Sequence, residues 1–203
     1  MKEPLRGHER RDTRQRILEA GLEELSAAGY ASISMRRVAE SCGVTKPTLY
    51  YHFGSKKGLF DAMLKQVMSE LESLLLRELD SSISVREALE RLLDGILYSE
   101  HTGTRVARVN LAFTMDPALR SMFPWMRERM EHLLGLISEL LSQGKERGEL
   151  REGLNTRLAS EVLMSVVRTY LLETARDDVS TALPSRREVA DILFRGIGSG
   201  REA

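Results

Sequence analysis

Between Ser34 and Phe53 the chain carries two short helical stretches hinged on Gly43-Val44-Thr45, and this hinge limits the folds open to it more than any other feature. Ser34 offers an N-cap, Val38, Ala39 and Cys42 make a small apolar stripe, and Gly43 ends the first stretch after about two turns. Thr45 can cap the second, because its hydroxyl accepts from free N–H groups of the next turn. Pro47 then falls in the first turn, where a missing N–H costs little. A tight turn reversing the chain needs glycine between helices that pack through small side chains, and Val38, Ala39, Val44 and Leu49 suit that packing. The pattern predicts a helix-turn-helix, a unit whose first helix crosses the DNA backbone while the second lies in the major groove.

The flanks read as helix throughout. Ile17, Leu18, Gly21, Leu22 and Leu25 recur at helical spacing after Asp12-Thr13, which predicts a first helix over 12–28 stopped by Gly29. Gly54-Ser55 breaks the hairpin, and Ser55 caps a long helix to about residue 79, spanning about 37 Å. Further helices are expected over 85–99, 104–114, 117–146, 155–176 and 185–196, with breaks at Gly103, Asp116-Pro117, Gly148, Gly153 and Pro184-Ser185. No alternating strand pattern and no repeat interrupts them. The expectation is an all-α chain in two parts: a helix-turn-helix domain over 1–54 and a larger helical domain over 55–203.

Charge supports this division. The 203 residues carry 30 Lys/Arg and 30 Asp/Glu, yet residues 1–58 hold 11 basic against 7 acidic, leaving the rest with 19 against 23. A basic end on an acidic body suits local contact with phosphates and not a general polyanion binder. Cys42 is the single cysteine, so no intramolecular disulfide and no cysteine-based zinc cluster can form within one chain. Met1-Lys2-Glu3-Pro4-Leu5-Arg6 lacks the apolar core of a signal peptide, and no run reaches the roughly 20 apolar residues of a membrane span. A cytoplasmic protein without membrane contact is expected.

Enzyme readings find little support. No H-E-x-x-H or paired E-x-x-H motif is present, Glu128 and His132 four apart read as a solvated pair, and Gly144-Lys145 lacks the glycine loop and Ser/Thr of a phosphate-binding loop. No catalytic residue, metal ligand or cofactor is assigned. The reading from a different class is a helical small-molecule carrier or enzyme whose hairpin no longer binds DNA.

The run from Ile33 through Phe53, ending Thr48-Leu49-Tyr50-Tyr51-His52-Phe53 and followed by Gly54-Ser55-Lys56-Lys57, resembles the DNA-binding region of the TetR family of bacterial regulators. The likeness covers about residues 12–65. It implies that a recognition helix presents Lys46, Pro47, Thr48, Tyr50, Tyr51 and His52 to double-stranded operator DNA, with Arg36 or Arg37 reaching from the preceding helix. Lys46 could donate to guanine acceptors, Thr48 could touch a thymine methyl or a phosphate, and the tyrosine hydroxyls could bond phosphates. Ser34, Thr45 and Lys56 lie near helix N-termini, where exposed N–H groups favour a phosphate. One of the two tyrosines could instead pack inward with Leu49 and Phe53. Gly58 departs from the acidic residue common in relatives, which predicts a looser start to the long helix.

The same resemblance implies that the larger domain binds an effector and makes a homodimer through its last two long helices. The segment 155–176 is rich in apolar residues, and Leu163, Val166, Val167 and Tyr170 are expected at the interface. Large, adaptable residues around Pro117, namely Phe113, Phe123, Trp125, Met126 and Met130, are expected to line a pocket for a small, mostly apolar effector. Leu97 and Val109 are expected to join them, with His101 and Arg105 as polar groups orienting the ligand. Together these readings describe a ligand-responsive repressor on a palindromic operator.

Overall fold

The computed structural model describes residues 4–25, 29–79, 83–98, 102–174 and 186–197. Its elements are helices, with no strand among the described residues: α1 Pro4–Glu24, α2 Gly29–Ser32, α3 Met35–Ser41, α4 Lys46–Phe53, α5 Lys56–Leu79, α6 Val85–Leu93, α7 Thr102–Met115, α8 Ala118–Met122, α9 Trp125–Glu146, α10 Thr156–Thr174 and α11 Arg186–Ile197. A π-helical turn, Asp94–Tyr98, extends α6.

Local chemistry sets the hairpin. The Ser34 hydroxyl accepts from the Arg37 amide at 3.4 Å, and the Thr45 hydroxyl accepts from the Thr48 amide at 3.3 Å. Gly43 turns the chain with φ 65°, a left-handed conformation that other residues adopt only at a cost. Leu49, Val38 and Ala39 are buried, so α3 and α4 pack on each other and on α1 and α5. These contacts form a basic headpiece of α1, α3 and α4 seated on the first turns of α5.

Two expected boundaries move. The first helix begins at Pro4 and not near residue 12, because the charged residues before Asp12 carry no apolar stripe by which periodicity could detect them. The expected helix over 117–146 is two helices: the chain breaks at Phe123, where φ is −129°, and restarts behind Pro124 as α9. Pro124 lacks the amide that would continue a helix, and Pro117 had masked it as the obvious break.

In the body, α5 packs on α6, α7 and α9, while α10 packs on α7, α9 and the π turn, and α11 on α6. Leu71, Leu75, Leu89, Leu92, Leu93, Ile96, Leu133, Ile137, Leu163, Met164 and Val167 surround a cavity of about 30 Å³ with wholly aliphatic walls. That is the room of one water molecule, yet it offers water no hydrogen bond.

Headpiece and body meet around Phe60. Its ring lies 4.9 Å from Tyr30 of α2, 6.4 Å from Phe113 of α7 and 5.4 Å from Phe123, centroid to centroid. Trp125 Nε1 donates to Asp61 Oδ1 at 2.8 Å, and Lys56 Nζ donates to the Ala31 carbonyl at 2.9 Å.

Candidate nucleic-acid interface

The outward face of α4 is built by its inward one. Leu49 is fully buried and Phe53 is half-buried beneath the Arg14 guanidinium, 5.2 Å from its ring. With that side anchored, helical spacing turns Tyr50 and Tyr51 outward, 46% and 67% exposed. The alternative in which one tyrosine packs inward is therefore not realised. Lys46 and Pro47 are also exposed, Thr48 and His52 are half-buried, and His52 meets Tyr51 edge-on at 5.5 Å. The result is a short ridge bearing an ammonium, hydroxyls and two phenols, the donors that phosphates and base edges accept.

The remaining expected DNA contacts are tied into the protein to different degrees. Arg36 is exposed and pairs with Glu40 at 2.7 Å on its own helix, a weak attachment that a phosphate can replace. Arg37 is an ion-pair partner of Glu24 at the end of α1 and also reaches the Ser32 carbonyl, so it braces the headpiece. Lys56 bonds the Ala31 carbonyl and lies 4.8 Å over the Tyr30 ring, and desolvation holds its ammonium below the ordinary lysine range. Ser34 and Thr45 use their hydroxyls as caps, and Thr45 also meets the Thr48 hydroxyl at 2.9 Å. Arg16, which sequence reading did not single out, donates to the Cys42 carbonyl at the end of α3. The Gly58 amide donates to Ser55 Oγ at 3.0 Å, and a Cβ at Gly58 would overlap the Phe53 carbonyl oxygen. The absence of a side chain there allows α4 and α5 to meet closely, where the sequence had suggested a looser junction.

The residues expected around an effector divide between the core and the joint of headpiece and body. Phe113, Phe123 and Trp125 belong to the joint at Phe60 and Asp61. Val109 is core, Met126 and Met130 are half-buried against the core, and Arg105 pairs with Glu70 at 3.0 Å. His101 and the Leu97 side chain lie outside the described residues. None of the described candidates lines the aliphatic cavity; Leu163 and Val167, expected at a dimer interface, do. Val166 and Tyr170 are half-buried. The outward face of α10 instead carries Leu158 and Val162, 56% and 50% exposed, and α11 exposes Ile192. His132, paired in the sequence reading with Glu128, meets Glu72 of α5 at 2.9 Å. Among the described residues no group of three His, Cys, Asp or Glu is placed to hold a metal ion, and no helix is long and apolar enough to cross a membrane.

Residues 17–63 match the family model described as bacterial regulatory proteins, tetR family. Over 194 residues the chain is 22% identical to the fatty acid metabolism regulator protein of Bacillus subtilis (strain 168), covering 93% of this chain and 97% of that one. In structure it resembles a transcriptional regulator from Saccharomonospora viridis in complex with choline, with a TM-score of 0.75 and 19% identity over 92% of this chain and 98% of that one. It also resembles FadR of Bacillus subtilis in complex with stearoyl-CoA, with a TM-score of 0.70 and 20% identity over 93% and 99%. The exposed α4 ridge, its capped hairpin and these likenesses converge: residues 17–63 carry the DNA-binding region of the tetR family of bacterial regulatory proteins, and the chain is a DNA-binding transcriptional regulator.

Proposed function

We propose that this chain is a ligand-responsive repressor that binds an imperfectly palindromic operator as a homodimer, with residues 1–54 as its DNA-binding domain and 55–203 as its effector-binding and dimerisation domain. The observation that carries the reading is the α4 ridge, where Lys46, Tyr50 and Tyr51 stand exposed because Leu49 and Phe53 hold the opposite side. An exposed pair of phenols beside a lysine matches the chemistry of a major-groove reader.

Dimerisation follows from Leu158, Val162 and Ile192, apolar side chains left open on α10 and α11 of a single chain. A twofold pairing of these helices covers them and presents two recognition helices to half-sites about 34–36 Å apart. The effector is small and mostly apolar, because the cavity among α5, α6, α9 and α10 has only aliphatic walls. One structural neighbour is in complex with stearoyl-CoA and another with choline.

Selection of bound fragments from genomic DNA at stated salt tests the function, followed by titration of the selected site. The expected result is one enriched, imperfectly twofold sequence bound with a steep salt dependence. Uniform recovery of all fragments would count against it.

A further inference from the structure

We propose that Gln66 and Glu70, backed by Arg105, form the polar anchor of the effector site, and that the anchor takes a hydrogen-bond donor, a hydroxyl or an ammonium group, carried on an aliphatic body. This deepens the reading of the chain as an effector-responsive regulator and rests on it.

Arg105 reaches from α7 with only 7% of its surface exposed, and its Nη1 donates to Glu70 Oε1 at 3.0 Å. Gln66 Nε2 donates to the same oxygen at 3.1 Å. One carboxylate oxygen is thus used twice, while Glu70 Oε2 and Gln66 Oε1 are shielded from solvent and have no hydrogen-bond partner among the described residues. Turning the Gln66 amide over would set its oxygen against Glu70 Oε1, so its orientation follows from the network. Buried acceptors left unmade are costly and uncommon, and two on successive turns of α5 call for a donor that no described residue supplies.

The surroundings say what carries that donor. Gln66 and Glu70 open on a groove of about 390 Å³ along α5, shared with Ser69, Ser73, Leu74 and Arg77. Leu75, the residue after Leu74 on the helix, and Leu71, three residues before it, line the aliphatic cavity. Leu74 lines the groove, and its Cδ2 lies 3.1 Å from where a Cβ on Gly95 would stand. Gly95 belongs to the π turn, a helical form that accommodates an extra residue per turn and recurs at functional sites. A ligand that places its donor on Gln66 and Glu70 can displace Leu74 and lay an aliphatic chain into the cavity. A carboxylate head would bring two more acceptors to two unsatisfied ones, and the Arg105 charge is already countered by Glu70.

Calorimetric titration of the full chain with 1-octanol, octylammonium and octanoate tests the anchor, because the three share a chain and differ in the head. At least one donor is expected to bind tenfold or more tightly than octanoate; comparison of octanol with octylammonium tells a neutral head from a cationic one. Gln66→Leu removes one orphaned acceptor and is expected to bring that ratio below threefold while circular dichroism stays native. Glu70→Gln supplies the same comparison if the first variant does not fold. Octanoate binding as tightly as both donors, no binding by any of the three, or selectivity surviving both substitutions overturns the anchor. Operator binding is measured separately without ligand. Its absence alongside intact donor selectivity supports the anchor and removes the regulator reading.

Discussion

Arg108 of α7 donates from Nη1 to the Leu22 carbonyl at 2.9 Å and to the Glu23 carbonyl at 3.3 Å, closing the end of α1 with a cation from the body. Last-turn carbonyls lack intrahelical partners, and a positive charge there also complements the helix dipole. The headpiece is therefore held at two places: through α5, which continues directly from it, and through α7, which grips α1 and underlies α2. Arg108→Met should remove about 1 kcal/mol of stability. It should also speed hydrogen exchange of the Leu22 to Leu25 amides more than that of α4. Uniform protection across the headpiece would mean that α7 does not restrain α1.

Operator recognition should divide by contact type. Lys46→Ala is expected to cost roughly 1–3 kcal/mol and to relax preference at one base pair of each half-site. Tyr51→Phe loses only a hydroxyl and should weaken all sequences alike, as a phosphate contact does. Both variants should keep native circular dichroism, since both positions are exposed. Titrations in which neither substitution changes affinity would remove the α4 ridge from the interface.

Gly58→Ala tests the joint between α4 and α5. The added methyl meets the Phe53 carbonyl oxygen, which is backbone and cannot swing aside. Overpacking of this kind costs typically about 1–3 kcal/mol, and the displaced α4 should also bind operator less tightly. A thermal midpoint equal to that of the parent chain would show that the junction can shift freely.

Adjacent residues on α10 should behave in opposite ways. Val162 is half exposed and Leu163 is 7% exposed, so Val162→Glu together with Leu158→Glu should give folded monomers in sedimentation velocity. Leu163→Glu buries a charge in the body core and should unfold the chain. Dimers persisting in the double variant would move the interface to another face.

That contrast shows where the sequence stopped being informative. Ser34, Gly43, Thr45 and Pro47 act within a few residues of themselves, so their caps and turn could be read directly, and so could the long α5. The apolar richness of 155–176 was equally visible, but Leu158, Val162, Leu163 and Val167 are interchangeable in composition. Which stripe meets the monomer core depends on where α7 and α9 approach, and no local pattern records that. Phe113, Phe123 and Trp125 stand out in the sequence as large and adaptable, but their partners Phe60 and Asp61 lie more than 50 residues away and no local pattern links them. The cavity itself is lined by ordinary apolar residues, mostly leucines, from five elements, which alone distinguish nothing from core.

The last prediction concerns coupling. The cavity touches α5 through Leu71 and Leu75 and α10 through Leu163 and Val167, while Ile96 brings in the π turn. The π turn and α10 both pack on α7, and Asn110 of α7 donates to the Arg168 carbonyl of α10 at 3.3 Å. A ligand larger than the cavity must push these walls apart, which moves α5 and α7 together and so shifts both attachments of the headpiece. Half-sites fixed along the DNA tolerate little change in the spacing of two recognition helices. A tenfold loss of operator affinity needs about 1.4 kcal/mol of coupling, and linkage requires the operator to weaken ligand binding by the same factor. Calorimetry of a cavity ligand with and without saturating operator should therefore give affinities differing tenfold. In Arg108→Met the factor should shrink, because α7 then moves without carrying α1. Equal ligand affinities in the presence and absence of operator would reject the coupling even if the ligand occupies the cavity, and an undiminished factor in Arg108→Met would assign it to α5 alone.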